Sequence, residues 1–103
     1  MTTSYPQMKV HAINLLDVRR KGLLSNYGPG AQYNANTRLD SIKVTAPVRA
    51  VIITTINDVL RKAVGSDWQD VRQVDTVKCT NIGDFIKLVC NHAGTAMPDG
   101  EPR

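Results

Sequence analysis

A chain of 103 residues, 42% hydrophobic and 21% charged, has the size and composition of one globular domain. Only 5% of it is aromatic, so a core has to be built from Ile, Val and Leu. The net charge of +4 is spread along the chain and suits nucleic acid, an anionic surface or an acidic partner protein, while no apolar run approaches the length of a membrane span.

The opening MTTSYPQMKV lacks a basic stretch followed by an apolar core, so no signal peptide is expected. With only two cysteines, this points to a cytoplasmic protein with free thiols. Residues 1–6 read as a disordered N-terminus, although Pro6 suits a first helical turn. A first helix is expected from Gln7 to Leu24, with Val10, Ile13, Leu16 and Leu24 on its apolar side. Gly22 marks an early end or bend.

The stretch SNYGPGAQYNANTR (25–38) is a long loop by composition. The strongest element follows. Thr45 stands at a cap position, Ala46 and Pro47 open a first turn, and helical spacing continues to Gly65. Val48, Val51, Ile52, Ile56, Val59, Leu60 and Ala63 share one face, with Arg49, Asn57, Arg61 and Lys62 away from it. The β-branched run Val-Ile-Ile-Thr-Thr-Ile favours a strand, but length and period favour a helix.

In SDWQDVRQVDTVK (66–78), Trp68, Val71, Val74 and Val77 recur every third residue, as in short helical turns. A last helix starts at a cap on Thr80 or Asn81. It buries Ile82, Phe85, Ile86, Val89 and Ala93, and stops at Gly94. The tail (95–103) reads as disordered, leaving one helical domain over 7–94. The fold class is therefore all-α: a small bundle of three to four helices with a long loop after the first.

This order of parts resembles an acyl carrier protein. In that family the long loop ends in Asp-Ser-Leu at the start of the second helix, and Asp40-Ser41-Ile42 stands at the corresponding place here. The stretch TNIGDFIKLV (80–89) is similar to the family's last helix, and the likeness of parts extends over about residues 8–93. The resemblance implies a phosphopantetheine arm on Ser41 with Asp40 beside it, or an unmodified domain that keeps the fold to bind partner proteins. Four features differ from the family. Arg38-Leu39 stand where a glycine commonly precedes the Asp-Ser pair, and the spacing from Ser41 to the last helix is longer than in typical members. The chain is basic where carriers are acidic, with Arg49, Arg61 and Lys62 on the second helix. Pro47 also sets the regular helix to begin near Thr45, about one turn after Ser41.

Read without the family, Ser41 is a loop or capping hydroxyl and Asp40 a cap or turn residue. Cys79, Cys90, His92 and His11 lack the close cysteine pairs of zinc sites, so the cysteines are expected as small buried hydrophobes and no metal is expected. No nucleophile–base–orienter set is visible, and Gly28-Pro29-Gly30 lacks the Lys and Ser/Thr of a phosphate loop, so no enzyme is expected. The alternative function is a small basic nucleic-acid-binding or regulatory protein. In that reading Lys9, Arg19, Arg20 and Lys21 form a basic edge, and Tyr27 and Tyr33 stack on bases.

Overall fold

The computed structural model describes residues 4–17, 22–28 and 30–95. They form an all-helical bundle of four α-helices joined by short 3₁₀ turns, with no strand among the described residues. None of the helices is long and apolar enough to cross a membrane.

Helix α1 (Tyr5–Asp17) begins two residues before the expected Gln7, with Pro6 in its first turn. It buries Tyr5, Met8, Ala12, Ile13, Leu15 and Leu16. Val10, expected on the apolar side, is exposed. The helix does not reach Leu24, which belongs to a separate 3₁₀ turn (Leu24–Asn26). The carboxylate of Asp17 accepts the Leu23 N–H at 2.6 Å and closes this end. The cluster Arg19-Arg20-Lys21 and the tail from residue 96 lie outside the described residues.

Helix α2 (Ala46–Val64) runs from the Thr45 cap position to Gly65, as its pattern requires. Thr45 does not cap through its side chain; its carbonyl accepts the Arg49 N–H at 2.9 Å. The buried stripe is narrower than expected: Ile52, Ile56, Leu60 and Val64, each four residues apart. Val51, at 69% exposure, lies outside it, as do Val59 and Ala63. The helix therefore touches the core along a line, not across a broad face. Burial of these four aliphatic side chains outweighs the β-branched propensity of the run.

Helix α3 (Gln73–Val77) is short. Before it, Trp68 and Val71 are buried. The backbone from 68 to 71 is held by Asn57 of α2. Its Oδ1 accepts the Val71 N–H at 2.7 Å and the Trp68 indole N–H at 3.3 Å, and its Nδ2 donates to the Val71 carbonyl at 3.0 Å. The every-third pattern fails after Val71 because regular helix begins only at Gln73. Thr76 and Cys79 then turn inward, and Val74 and Val77 outward.

Helix α4 (Ile82–Ala93) buries all five expected residues, Ile82, Phe85, Ile86, Val89 and Ala93, together with Cys90. It packs on α1 and α3. Gly94, at φ 72°, ends it in the left-handed conformation that favours glycine. At the same end His92 Nδ1 lies 2.8 Å from the Gln69 carbonyl, which can only accept, so Nδ1 carries a proton. The Gln69 N–H returns a bond to the His92 carbonyl at 2.9 Å.

The start of α4 fixes the long loop. The first N–H groups of a helix have no partner within it. Here the Ile82 N–H donates to the Thr37 carbonyl and the Gly83 N–H to the Ala35 carbonyl, both at 2.9 Å. Asn81 Oδ1 accepts the Asp84 N–H at 2.8 Å. Asp84 Oδ2 in turn accepts from the Thr80 N–H and hydroxyl. The approach is so close that a Cβ on Gly83 would meet Ala35 Cβ at 3.0 Å and its carbonyl oxygen at 3.1 Å.

Alanine in place of glycine normally stabilises a helix interior by about 1 kcal/mol. Gly83→Ala is expected to do the reverse, costing about 1–2 kcal/mol because the loop must back away from its own hydrogen bond. Urea unfolding of the variant checks this, and a midpoint above wild type would show that the loop is not held there.

Candidate functional site

The sequence LDSI folds as an isolated 3₁₀ turn (Leu39–Ile42) whose two ends are buried and whose centre is not. Leu39 and Ile42 are each only 1% exposed, whereas Asp40 and Ser41 face solvent. The turn is anchored where the Leu39 N–H donates to the Thr80 carbonyl at 3.1 Å, and closed where the Val44 N–H donates to the Leu39 carbonyl at 2.9 Å. Ser41 donates twice to the Arg38 carbonyl, from its N–H at 3.1 Å and its hydroxyl at 2.7 Å. Regular α2 begins only at Ala46, so Ser41 stands on its own turn ahead of the helix, as Pro47 implies.

Lys43 follows the turn at φ 68°, ψ 22°, the one non-glycine residue with positive φ among those described. That conformation is costly for an L side chain. Asp40 lies 3.7 Å from Arg38 and 4.0 Å from Arg49. The Asp40–Arg38 pair is solvent-exposed on both sides, so it contributes little.

Arg49 is different. Its side chain is only 14% exposed. Nε donates to the Val44 carbonyl at 3.2 Å and Nη1 to the Thr76 carbonyl at 2.9 Å. One guanidinium thus ties the segment after the Ser41 turn to the end of α3. The periodicity of α2 assigns Arg49 to the solvated side, and nothing in its neighbours signals otherwise. Beneath it Leu39, Val44, Ile52, Cys79 and Phe85 enclose a cavity of about 10 Å³. That is room for about one water molecule and no more.

Cys79 and Cys90 are free and buried, as expected from the sequence. Burial pushes both thiols up to about 11 from an ordinary 9.0; for Cys79 the nearby Asp84 adds to the effect. Neither is an activated nucleophile. Among the described residues no three His, Cys, Asp or Glu side chains gather in a way that could hold a metal ion. The two loop tyrosines are not free-standing platforms. Tyr33 is buried, and Tyr27 is half-buried, with the Lys9 ammonium 5.2 Å from its ring centroid.

Comparison with protein-family models, with curated proteins and with solved structures finds no match. The reading of the site therefore stands on its own residues.

Two measurements follow. Arg49→Met strands two carbonyls and is expected to cost about 2–3 kcal/mol, with Arg49→Lys recovering less than half because an ammonium lacks the fork. Urea unfolding of both variants checks the order. Each thiol's folded value lies above its unfolded one, so the stability it contributes is full below about pH 9 and is lost as pH rises toward 11. Thermal melts from about pH 8 to about pH 10 should fall more steeply for wild type than for a Cys79→Ala, Cys90→Ala double variant.

Proposed function

We propose that this chain is a carrier-like helical module. It presents the turn Leu39–Ile42 and the start of α2 to partner proteins, with Ser41 as the attachment point for a phosphopantetheine arm. The observation that carries this reading is the exposed Ser41 hydroxyl on a turn pinned by two buried neighbours. A hydroxyl to be modified by another enzyme has to be reachable and held in place, and this one is both.

Attachment would join Ser41 Oγ to the pantetheine-side phosphorus of coenzyme A. Adenosine bisphosphate leaves, and the hydroxyl proton passes to a base of the transferase. Before that step Ser41 must release the Arg38 carbonyl, which costs about 1 kcal/mol. The phosphodiester so formed carries a negative charge. Arg38 and Lys43, both exposed, stand on either side of Ser41 in the sequence and suit that charge. The cavity below the turn, at about 10 Å³, is too small for an acyl chain. An arm on Ser41 would lie on the surface. The alternative of an unmodified interaction module uses the same turn without the arm.

The nucleic-acid reading keeps its basic charge but loses its stacking residues, since Tyr33 is buried and Tyr27 lies under Lys9.

Intact-mass spectrometry after incubation with coenzyme A and a phosphopantetheinyl transferase tests the arm. A mass gain equal to phosphopantetheine in wild type and none in Ser41→Ala supports it. No gain with several transferases, and none in protein from its own host, removes the arm and leaves the unmodified module.

A further inference from the structure

The charge around the Ser41 turn leads to a partner of definite chemistry. The turn and α3 form one continuous surface. Arg49 bonds the carbonyls of both Val44 and Thr76, Leu39 bonds Thr80, and Arg38 pairs with Asn81 through the backbone. On the outer side of α3, Val74 and Val77 stand one turn apart at 52% and 63% exposure. Lys78 follows directly, and Lys43 and Arg38 come from the neighbouring turn. The N–H groups of Lys43 and Lys78 bond the carbonyls of Asp40 and Thr76. This leaves their ammonium groups at the exposed rim, where that of Lys78 adds to the Arg72 N–H bond in holding the Asp75 carboxyl down.

The acidic groups of this region are already engaged. Asp40 lies between Arg38 and Arg49. Asp75 accepts the Arg72 N–H at 3.0 Å and lies 3.8 Å from both Arg72 Nε and His92 Nε2. Asp84 caps Thr80. The surface therefore offers three exposed cations, Arg38, Lys43 and Lys78, around two exposed valines. Lys43 keeps a left-handed backbone where glycine would be at ease, which fits a position whose side chain is used.

We propose that this surface docks an acidic amphipathic helix of a partner protein. Val74 and Val77 meet the partner's apolar residues, and Lys43, Lys78 and Arg38 meet its carboxylates. Opposite charge across the rim steers encounter and fixes orientation. A helix is favoured over an extended strand because no sheet edge among the described residues could pair with a strand, while apolar side chains at helical spacing read a helix. This rests on reading the turn as a partner-facing surface. It does not depend on modification of Ser41.

The test uses the unmodified full chain labelled with nitrogen-15 and a synthetic helical peptide with Glu on one side and Leu at i, i+3, i+4 and i+7. Backbone shift changes confined to 38–44 and 72–80 are expected, with Kd below about 1 mM. Binding should weaken about tenfold in Lys43→Glu, Lys78→Glu and severalfold in Val77→Ala, and persist in Ser41→Ala. A thermal melt of each variant confirms that it is folded. Absence of shift changes at saturating peptide overturns the proposal. So does equal binding of a same-charge peptide with Leu replaced by Ser. A DNA duplex giving the same shifts at lower concentration would assign the surface to nucleic acid instead. Binding by the Ser41→Ala variant separates this result from the mass measurement, so either can fail without the other.

Discussion

The structure depends on how the first turn of α4 satisfies its hydrogen bonds. A helix start buried without partners costs about 1–3 kcal/mol for each stranded group. Here a loop from much earlier in the chain supplies two carbonyls, from Ala35 and Thr37, and Asn81 supplies a third acceptor. Once the loop is docked, its next residues have little freedom. Leu39 is drawn to Thr80, the turn after it closes on Val44, and Ser41 is fixed at the surface. The candidate site is thus placed by α4, although its residues belong to the approach to α2.

Arg49 completes the arrangement from the other side. A single side chain satisfies one carbonyl from the segment after the turn and one from α3. It does so at the edge of a mainly apolar cavity, where a shorter or unforked cation could not reach both. Asn57 does the same one level further along α2, holding the backbone at Val71 and the Trp68 indole. The region between α2 and α4 contains little regular helix. Two polar side chains from α2 take over the work that a longer α3 would have done by packing.

The elements were legible where pattern and punctuation agreed. The five apolar residues of α4 and Gly94 define that helix, with its cap narrowed to Thr80 or Asn81 and found at Asn81, and Pro47 and Gly65 bracket α2. Faces were less legible. Val51 and Val59 satisfy the period of α2 as well as Ile52 does, yet lie outside the line of contact. Which of several apolar residues faces inward depends on where neighbouring helices cross, and a single helix pattern does not contain that. Val74 and Val77 illustrate the same limit, since their spacing suits burial and they are exposed. Ser41 could be singled out from its place before α2. Arg49 and Gly83 could not, because their roles exist only against Thr76 and Ala35.

The same docking also sets an order of events for a chain made from its N-terminus. The loop that carries Ala35 and Thr37 emerges from the ribosome well before α4, and has nothing to grip until α4 follows. Until then Leu39 and Ile42 lack the cover they have in the finished molecule. Long-range contacts of this kind return their free energy only after loop closure. The Ser41 turn should therefore set only after α4 has been made. A nascent chain that still lacks α4 would not offer an ordered site to any partner or modifying enzyme.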